Sequence, residues 1–396
     1  MEKISLPLNL PLMQNNIISD DLNCIADYIK DKDNLILTQS TKVKEFEQKW
    51  SEWLGVKYSV FVNSGSSANL ITLAAIKEIY GIGEIIVPPI TWVSDIASVV
   101  QNGFTPVFAD INLNTLGMDT REILQKITPQ TKAVFLTHIL GYNALTDELL
   151  TELKKRNIIL IEDVCESHGA TFKDKKLGTY GLVSNFSFFY AHHMSTIEGG
   201  MVCTNDEKLY QYIRMFRSHG MVRESTNENL KQEYCEKHPD LRLDFIFAFP
   251  AYNVRSTEIN AIIGLNQLKR LDANNEKRKE NLSIFLNNLD KNKYFTEFET
   301  TGSCNYAFTL VIRKSDSDFC NKVMLTLKEL NVEFRRGTSG GGNQLRQPYL
   351  KKIMGEHEHE KYPNAEHIHF FGFYIGNYPD LEKWKIEKVC EILNNI

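Results

Sequence analysis

With 396 residues, 45 Lys and Arg against 50 Asp and Glu, and 42% hydrophobic residues, the chain has the makeup of a folded globular protein, not of a disordered or fibrous one. Its formal net charge of -5 leaves no basic footprint for nucleic acid, which is therefore not an expected partner. A chain of this length buries roughly three quarters of its unfolded surface and needs no disulfide or metal to close a core.

The first segment, MEKISLPLNLPL, lacks the apolar core and cleavage site of a signal peptide, and no later apolar run reaches the about 18 residues of a membrane span. A cytoplasmic protein without membrane contact is the expectation. Short β-branched runs then alternate with helical patterns: YSVFV (58–62), EIIVPP (84–89), TPVFA (105–109), KAVFLTH (132–138), NIILIED (157–163) and SNFSFF (184–189). Near-continuous apolar strands separated by helix-length stretches predict a mostly parallel sheet covered on both faces, an α/β fold. From Arg255 to about Arg278 the sequence is apolar at helical spacing and then turns charged, which predicts a long helix leaving the first domain.

Beyond about residue 280, NYAFTLVIR, CNKVMLTLKELNVEFRR and WKIEKVCEILNNI have the pattern of a small α+β unit. The expected organisation is a large domain at 1–275, with an N-terminal arm, and a small C-terminal domain at 276–396. The glycine run at 338–343 reads as a flexible connection. Cys24, Cys165, Cys203, Cys235, Cys304, Cys320 and Cys390 are scattered, with no C-x-x-C pair, so reduced thiols and no metal site are expected.

Three short stretches carry chemistry. VNSGSSANL (62–70) follows a strand and opens a helix, so Gly65 and Ser66 place free N–H groups at a helix N-terminus, where a phosphate is held by dipole and hydrogen bonds. Taken alone, the same Ser-Gly-Ser is an ordinary N-cap. Trp92, just past a strand end, can stack on a planar ligand or fill the core. Asp163 ends an apolar strand, where the ligand groups of parallel sheets gather, and a carboxylate buried there wants a cationic partner. Together they read as a pyridine-ring site: amides for a phosphate, an aromatic over one ring face, and an aspartate that keeps the ring nitrogen protonated so that the ring accepts electrons.

These motifs stand in order with others from Val43 to Leu271: VKEFEQKWSEWLGVKYSVFVNSGSSANL, PVFADIN, IEDVCESHGA, FSFF followed by EGGMVCTND, RSHGM, and YNVRSTEINAIIGLNQLKRL. By them the chain resembles the fold-type I pyridoxal-phosphate enzymes, and specifically the aminotransferase and dehydratase family that acts on nucleotide-linked 4-keto sugars. The resemblance implies that Gly65, Ser66 and Ser187 hold the cofactor phosphate, with Asn253 reaching it from the second chain of a homodimer. It places Asp163 at the pyridinium nitrogen, Trp92 on the ring, and Glu166, where the aminotransferases commonly have Gln, near the 3′-oxygen.

In the family's aminotransferases a lysine that binds the cofactor covalently stands five residues after the Ser of the SF motif; five residues after Ser187 is His192. An imidazole cannot form that bond, so the resemblance implies pyridoxal or pyridoxamine phosphate held without a covalent link. His192 is then a general acid/base with an ordinary pKa of about 6.5, against about 10.4 for lysine. His193, in place of the more usual Asn, is expected to be structural.

This exchange marks the family's 3-dehydratases. Their iron–sulfur members need closely spaced cysteines, and Cys165, Cys203 and Cys235 are too far apart, so the cluster-free members acting on GDP-4-keto-6-deoxy sugars, with L-glutamate as amino donor, are the better match. By that resemblance His219, Arg223, Glu333 and Arg335 bind substrate, the arginines at the diphosphate and Glu333 at the nucleoside. Read singly, each arginine is as readily a surface ion pair. A true sugar aminotransferase and a non-catalytic binding protein on this fold remain as alternatives.

Overall fold

The computed structural model describes residues 7–30 and 35–396, so the reading of the opening MEKISL falls outside the described residues. In the first half strand and helix alternate. Helices α1 (Ser19–Lys30) and α2 (Thr41–Leu54) precede β1 (Tyr58–Val62), α3 (Gly65–Tyr80), β2 (Glu84–Val87), α4 (Val93–Gln101), β3 (Thr105–Phe108), α5 (Thr120–Lys126), β4 (Thr131–Thr137), α6 (Asp147–Arg156) and β5 (Ile159–Asp163). A short hairpin, β6 (Thr171–Phe172) and β7 (Lys175–Lys176), leads to β8 (Val183–Ser187) and β9 (Gly200–Thr204), then α7 (Glu207–Arg217) and α8 (Glu228–Lys237).

The main sheet has seven strands in the order β1-β9-β8-β5-β4-β2-β3. Only β9 runs against its neighbours, β1 and β8; the other pairings are parallel. The strands end where the chain can no longer pair: Pro88 and Pro89 lack the N–H that would extend β2. Because six strands point one way, the C-terminal ends of β1, β2, β4, β5 and β8 emerge along a single edge, where parallel α/β sheets bind their ligands.

Helix α9 (Glu258–Asn288) runs 31 residues, about 46 Å at the standard rise, ten residues past the expected end. The charged stretch does not stop it because Leu282 and Phe285 resume the apolar face and bury against the second sheet. At its start the buried Glu258 carboxylate accepts the N–H groups of Ser40, Lys42 and Val43 at 2.9, 2.8 and 2.9 Å. It thereby caps α2, which the Ser40 side chain does not.

The second sheet orders β10 (Tyr294–Phe295), β11 (Ala307–Ile312), β13 (Gly372–Gly376) and β12 (Phe334–Arg336), all antiparallel. Helices α10 (Ser317–Glu329), α11 (Pro348–Met354), α12 (Pro363–Phe371) and α13 (Lys383–Asn394) complete this half. The glycine run at 338–343 is not the flexible connection its composition suggests. Thr338 and Ser339 are buried, Gln344 N–H donates to the Pro89 carbonyl at 2.7 Å, and a Cβ on Gly340 would collide with the Thr91 carbonyl. Glycine is required there because the backbone lies against the strand end at positive φ, +61°. The seven cysteines are free thiols. Among the described residues no helix is long and apolar enough to cross a membrane.

Candidate active site

A cleft of about 360 Å³ opens where the strand ends meet the glycine turn. At one end β1 turns into α3. The Ser64 Oγ accepts the Ser67 N–H at 3.0 Å as N-cap, while the N–H groups of Gly65 and Ser66 belong to the first turn and have no intrahelical carbonyl. Ser187, the last residue of β8, stands against them: a Cβ on Gly65 would lie 2.6 Å from the Ser187 Cβ. Only glycine lets the helix start approach the strand end, leaving a cradle of two N–H groups and a hydroxyl suited to an anion.

The middle of the cleft holds carboxylates. Asp163, 3% exposed at the end of β5, accepts the Cys165 N–H at 2.8 Å and the Asn69 amide at 3.2 Å. The same amide donates to Asp95 at 2.7 Å, and Asp95, fully buried one turn into α4, also accepts from Thr91 and, at 2.7 Å, from Thr137. Burial and then the Asp163 charge hold the Asp95 carboxyl well above the ordinary carboxylate range. Trp92 lies at the N-terminus of α4 and lines the cleft with half its surface free. An aromatic face, a carboxylate for a cationic ring nitrogen and an anion cradle thus share one cavity, and a phosphorylated pyridine fits that donor set.

His192 follows β8 in a tight turn, its N–H bonded to the Phe189 carbonyl at 3.0 Å. Its ring lines the cleft between Tyr306 at 5.8 Å and His168 at 6.2 Å, with Nδ1 buried and without a partner among the described residues. Burial pushes its pKa down to about 4, below the ordinary value expected from sequence, so the ring is neutral at physiological pH. His193 turns away from the cleft: buried, it donates to the Cys304 carbonyl at 2.9 Å.

Glu166 closes the site toward the second sheet. Its carboxylate accepts the Leu140 N–H at 2.8 Å and the Ser339 hydroxyl at 2.5 Å, tying β5 to the glycine turn, and burial raises its pKa to about 7. Arg335, on β12, lines the same cleft. Beside it a second cleft of about 740 Å³ is lined by Met13, Tyr190, Glu333 and Arg335, and Glu333 accepts the Leu12 N–H at 2.8 Å.

Three expected site residues are not brought to the cleft within one chain. His219, Arg223 and Asn253 lie exposed on the segment between α7 and α9, where Asn253 accepts from Arg255 at 3.1 Å. Nearby Phe245 and Phe247 are exposed as well. In the other direction, Asp95, Asn69 and Tyr306 line or support the cleft without having been singled out. For Asp95 the signal was available: a carboxylate in the first turn of an otherwise uncharged helix, four residues past Thr91.

The DegT/DnrJ/EryC1/StrS aminotransferase family model matches residues 20–394. GDP-4-keto-6-deoxy-D-mannose 3-dehydratase of Escherichia coli O55:H7 is 33% identical over 352 residues, 87% of this chain and 90% of that protein. GDP-perosamine synthase of Escherichia coli O157:H7 is 28% identical over 362 residues, 91% of each. A crystal structure of GDP-4-keto-6-deoxymannose-3-dehydratase with a trapped PLP-glutamate geminal diamine superposes with a TM-score of 0.88 at 31% identity, covering 97% of this chain and all of that one.

Proposed function

Because the chain belongs to the DegT/DnrJ/EryC1/StrS aminotransferase family, we propose that it removes the C3 hydroxyl of a GDP-4-keto-6-deoxy sugar, hexose or heptose, using pyridoxal or pyridoxamine 5′-phosphate held without a covalent bond. The observation that carries the reading is His192: it lines the cleft at the position five residues after Ser187, and among the described residues no lysine lines the cleft. Glutamate supplies the amino group and the two electrons and leaves as 2-oxoglutarate; the sugar loses its oxygen as water and the nitrogen is released as ammonia.

When bound, the cofactor supplies an electron sink next to an amine that joins the sugar C4. Gly65 and Ser66 N–H and the Ser187 hydroxyl grip its phosphate. Asp163 keeps a proton on its ring nitrogen, and Trp92 covers one face. The neutral His192 accepts the proton from the cofactor C4′ and hands a proton to the departing C3 oxygen, so one imidazole is base and then acid. Glu166 meets the 3′-oxygen. Arg335 is placed for the diphosphate and Glu333, in the adjoining cleft, for the nucleoside.

The active unit in this reading is a homodimer, with Asn253 of the partner subunit completing each site and His219 and Arg223 contacting the substrate. The exposed apolar side chains Ile197, Phe245 and Phe247 support it, since a second copy would cover them. The division into two domains at 275/276 falls inside α9 and belongs to the same reading.

The test is mass spectrometry of products from GDP-4-keto-6-deoxymannose with pyridoxal phosphate and glutamate. A sugar lacking one oxygen, with one ammonia per turnover, is expected. A stable 4-amino sugar would make the chain an aminotransferase, and absence of cofactor absorbance on the protein would make it a binding protein.

A further inference from the structure

Asp95 has no place in the function just described, yet it sits on the cleft floor. It is fully buried, and its carboxylate shares the Asn69 amide with Asp163. The groups that face it are Asp163 at the end of β5 and Cys165 just past it, Thr137 from β4, Thr91 and Ser94 around the start of α4, and Tyr349 from α11. Among the described residues no lysine, arginine or histidine pairs with either aspartate. Two carboxylates this close, dry and without a cation, cannot both be ionised, so the pair holds one proton.

The partners decide where that proton resides. Asp163 is met by the Cys165 backbone N–H and the Asn69 amide, groups that only donate and therefore favour a carboxylate. The Asp95 Oδ2 is met by two hydroxyls, Thr91 and Thr137, which stand 3.0 Å apart and can each accept as well as donate. They satisfy a carboxylic acid as completely as a carboxylate.

We propose that Asp95 is a positioning residue kept as a neutral carboxylic acid: its Oδ2–H donates to the threonine pair, its Oδ1 anchors the Asn69 amide, and Asn69 in turn aims Asp163. The consequence rests on the reading of the cleft as a pyridoxal-phosphate site. The ring nitrogen meets one negative charge, not two, from an aspartate fixed in direction. An ionised Asp95 would instead put a second negative charge beside the ring and oppose the build-up of electron density on it.

The experiment is infrared spectroscopy of the full chain without cofactor at about pH 9, where Glu166, whose pKa is about 7, is ionised. The wild type should show the carbonyl stretch of a protonated carboxylic acid; the band should persist in Glu166→Gln and vanish in Asp95→Asn. A wild type without the band, or a band that leaves with Glu166 and stays in Asp95→Asn, overturns the proposal. Should Asp95→Asn fail to fold by circular dichroism, the Glu166→Gln chain alone decides by keeping or losing the band. In parallel, Asp95→Asn, a neutral isostere, should keep pyridoxal phosphate affinity within about threefold, since no charge is removed; a tenfold or larger loss would mean that Asp95 acts as an anion. A wild type that binds no pyridoxal phosphate would end the functional reading while leaving the infrared result to stand.

Discussion

Two buried charge constellations in this molecule are built in opposite ways. Between α2, β1 and α7, Arg217 and Glu47 form an ion pair at 2.6 Å, with Arg217 also donating to the Phe61 carbonyl at 3.0 Å and Glu47 accepting the Phe61 N–H at 2.8 Å. Protein groups answer both charges, with the Arg217 Nε–H left over as a buried donor without a partner among the described residues. On the cleft floor, some strands away, and among the described residues, Asp163 and Asp95 have donors but no cation, Gly65 and Ser66 have amides without acceptors, and the His192 Nδ1 has no partner. An isolated fold gains nothing from such a set, because unanswered buried polar groups cost free energy. The first constellation holds two helices to a strand; the second is shaped for something that is not protein.

Substitutions on each side test that contrast. The largest effect belongs to the closed pair: Arg217→Met leaves Glu47 buried and alone, and should cost about 3–5 kcal/mol in urea unfolding. Next comes His192→Asn, which should leave unfolding nearly unchanged but lower turnover of the sugar by a factor on the order of 10²–10⁴, the usual worth of a general acid/base. The companion His192→Lys should tie the cofactor to the chain by a bond that borohydride makes permanent, seen by mass spectrometry. If His192→Asn instead costs stability as Arg217→Met does, the contrast fails.

Smaller in expectation is Gly65→Ala, whose Cβ meets Ser187 at 2.6 Å and spreads the cradle. Affinity for pyridoxal phosphate, followed by absorbance, should drop on the order of a hundredfold, as two charge-assisted hydrogen bonds of about 1.5 kcal/mol each are lost. The finest test uses pH. Glu166 has a folded pKa raised to about 7, so its contribution is present at low pH and is lost as pH rises from about 4.5 through 7, by about 3 kcal/mol. The buried His168, His192 and His193 have lowered values and act with the opposite sign: their contribution is present above about 6.5 and is lost as pH falls, for His192 through about 4. Between about 4.5 and 6.5 three histidines outweigh one carboxylate, so thermal midpoints should rise with pH in the wild type and rise more steeply in Glu166→Gln.

Much of this was legible in the sequence because it is written locally. The six sheet strands expected from apolar runs are β1–β5 and β8, and the ordered motifs point to the family that matches residues 20–394. What was not legible depends on distant partners. Nothing in TSGGGN says that Ser339 will bond Glu166 or that Gly340 will press on Thr91. The pKa of His192 is set by burial, in a packing that brings Tyr306, more than a hundred residues on, against its ring. The end of α9 was missed because a charged stretch on a helix looks like its exit until Leu282 and Phe285 find a second core.

That helix has a final consequence. Ala261 and Leu271 pack in one hydrophobic core and Leu282 and Phe285 in another, so a single rod is structural timber for both. Neither half can melt without unwinding part of what the other leans on. A calorimeter should record one sharp endotherm for the whole polypeptide, where two domains joined by a slack tether would give two.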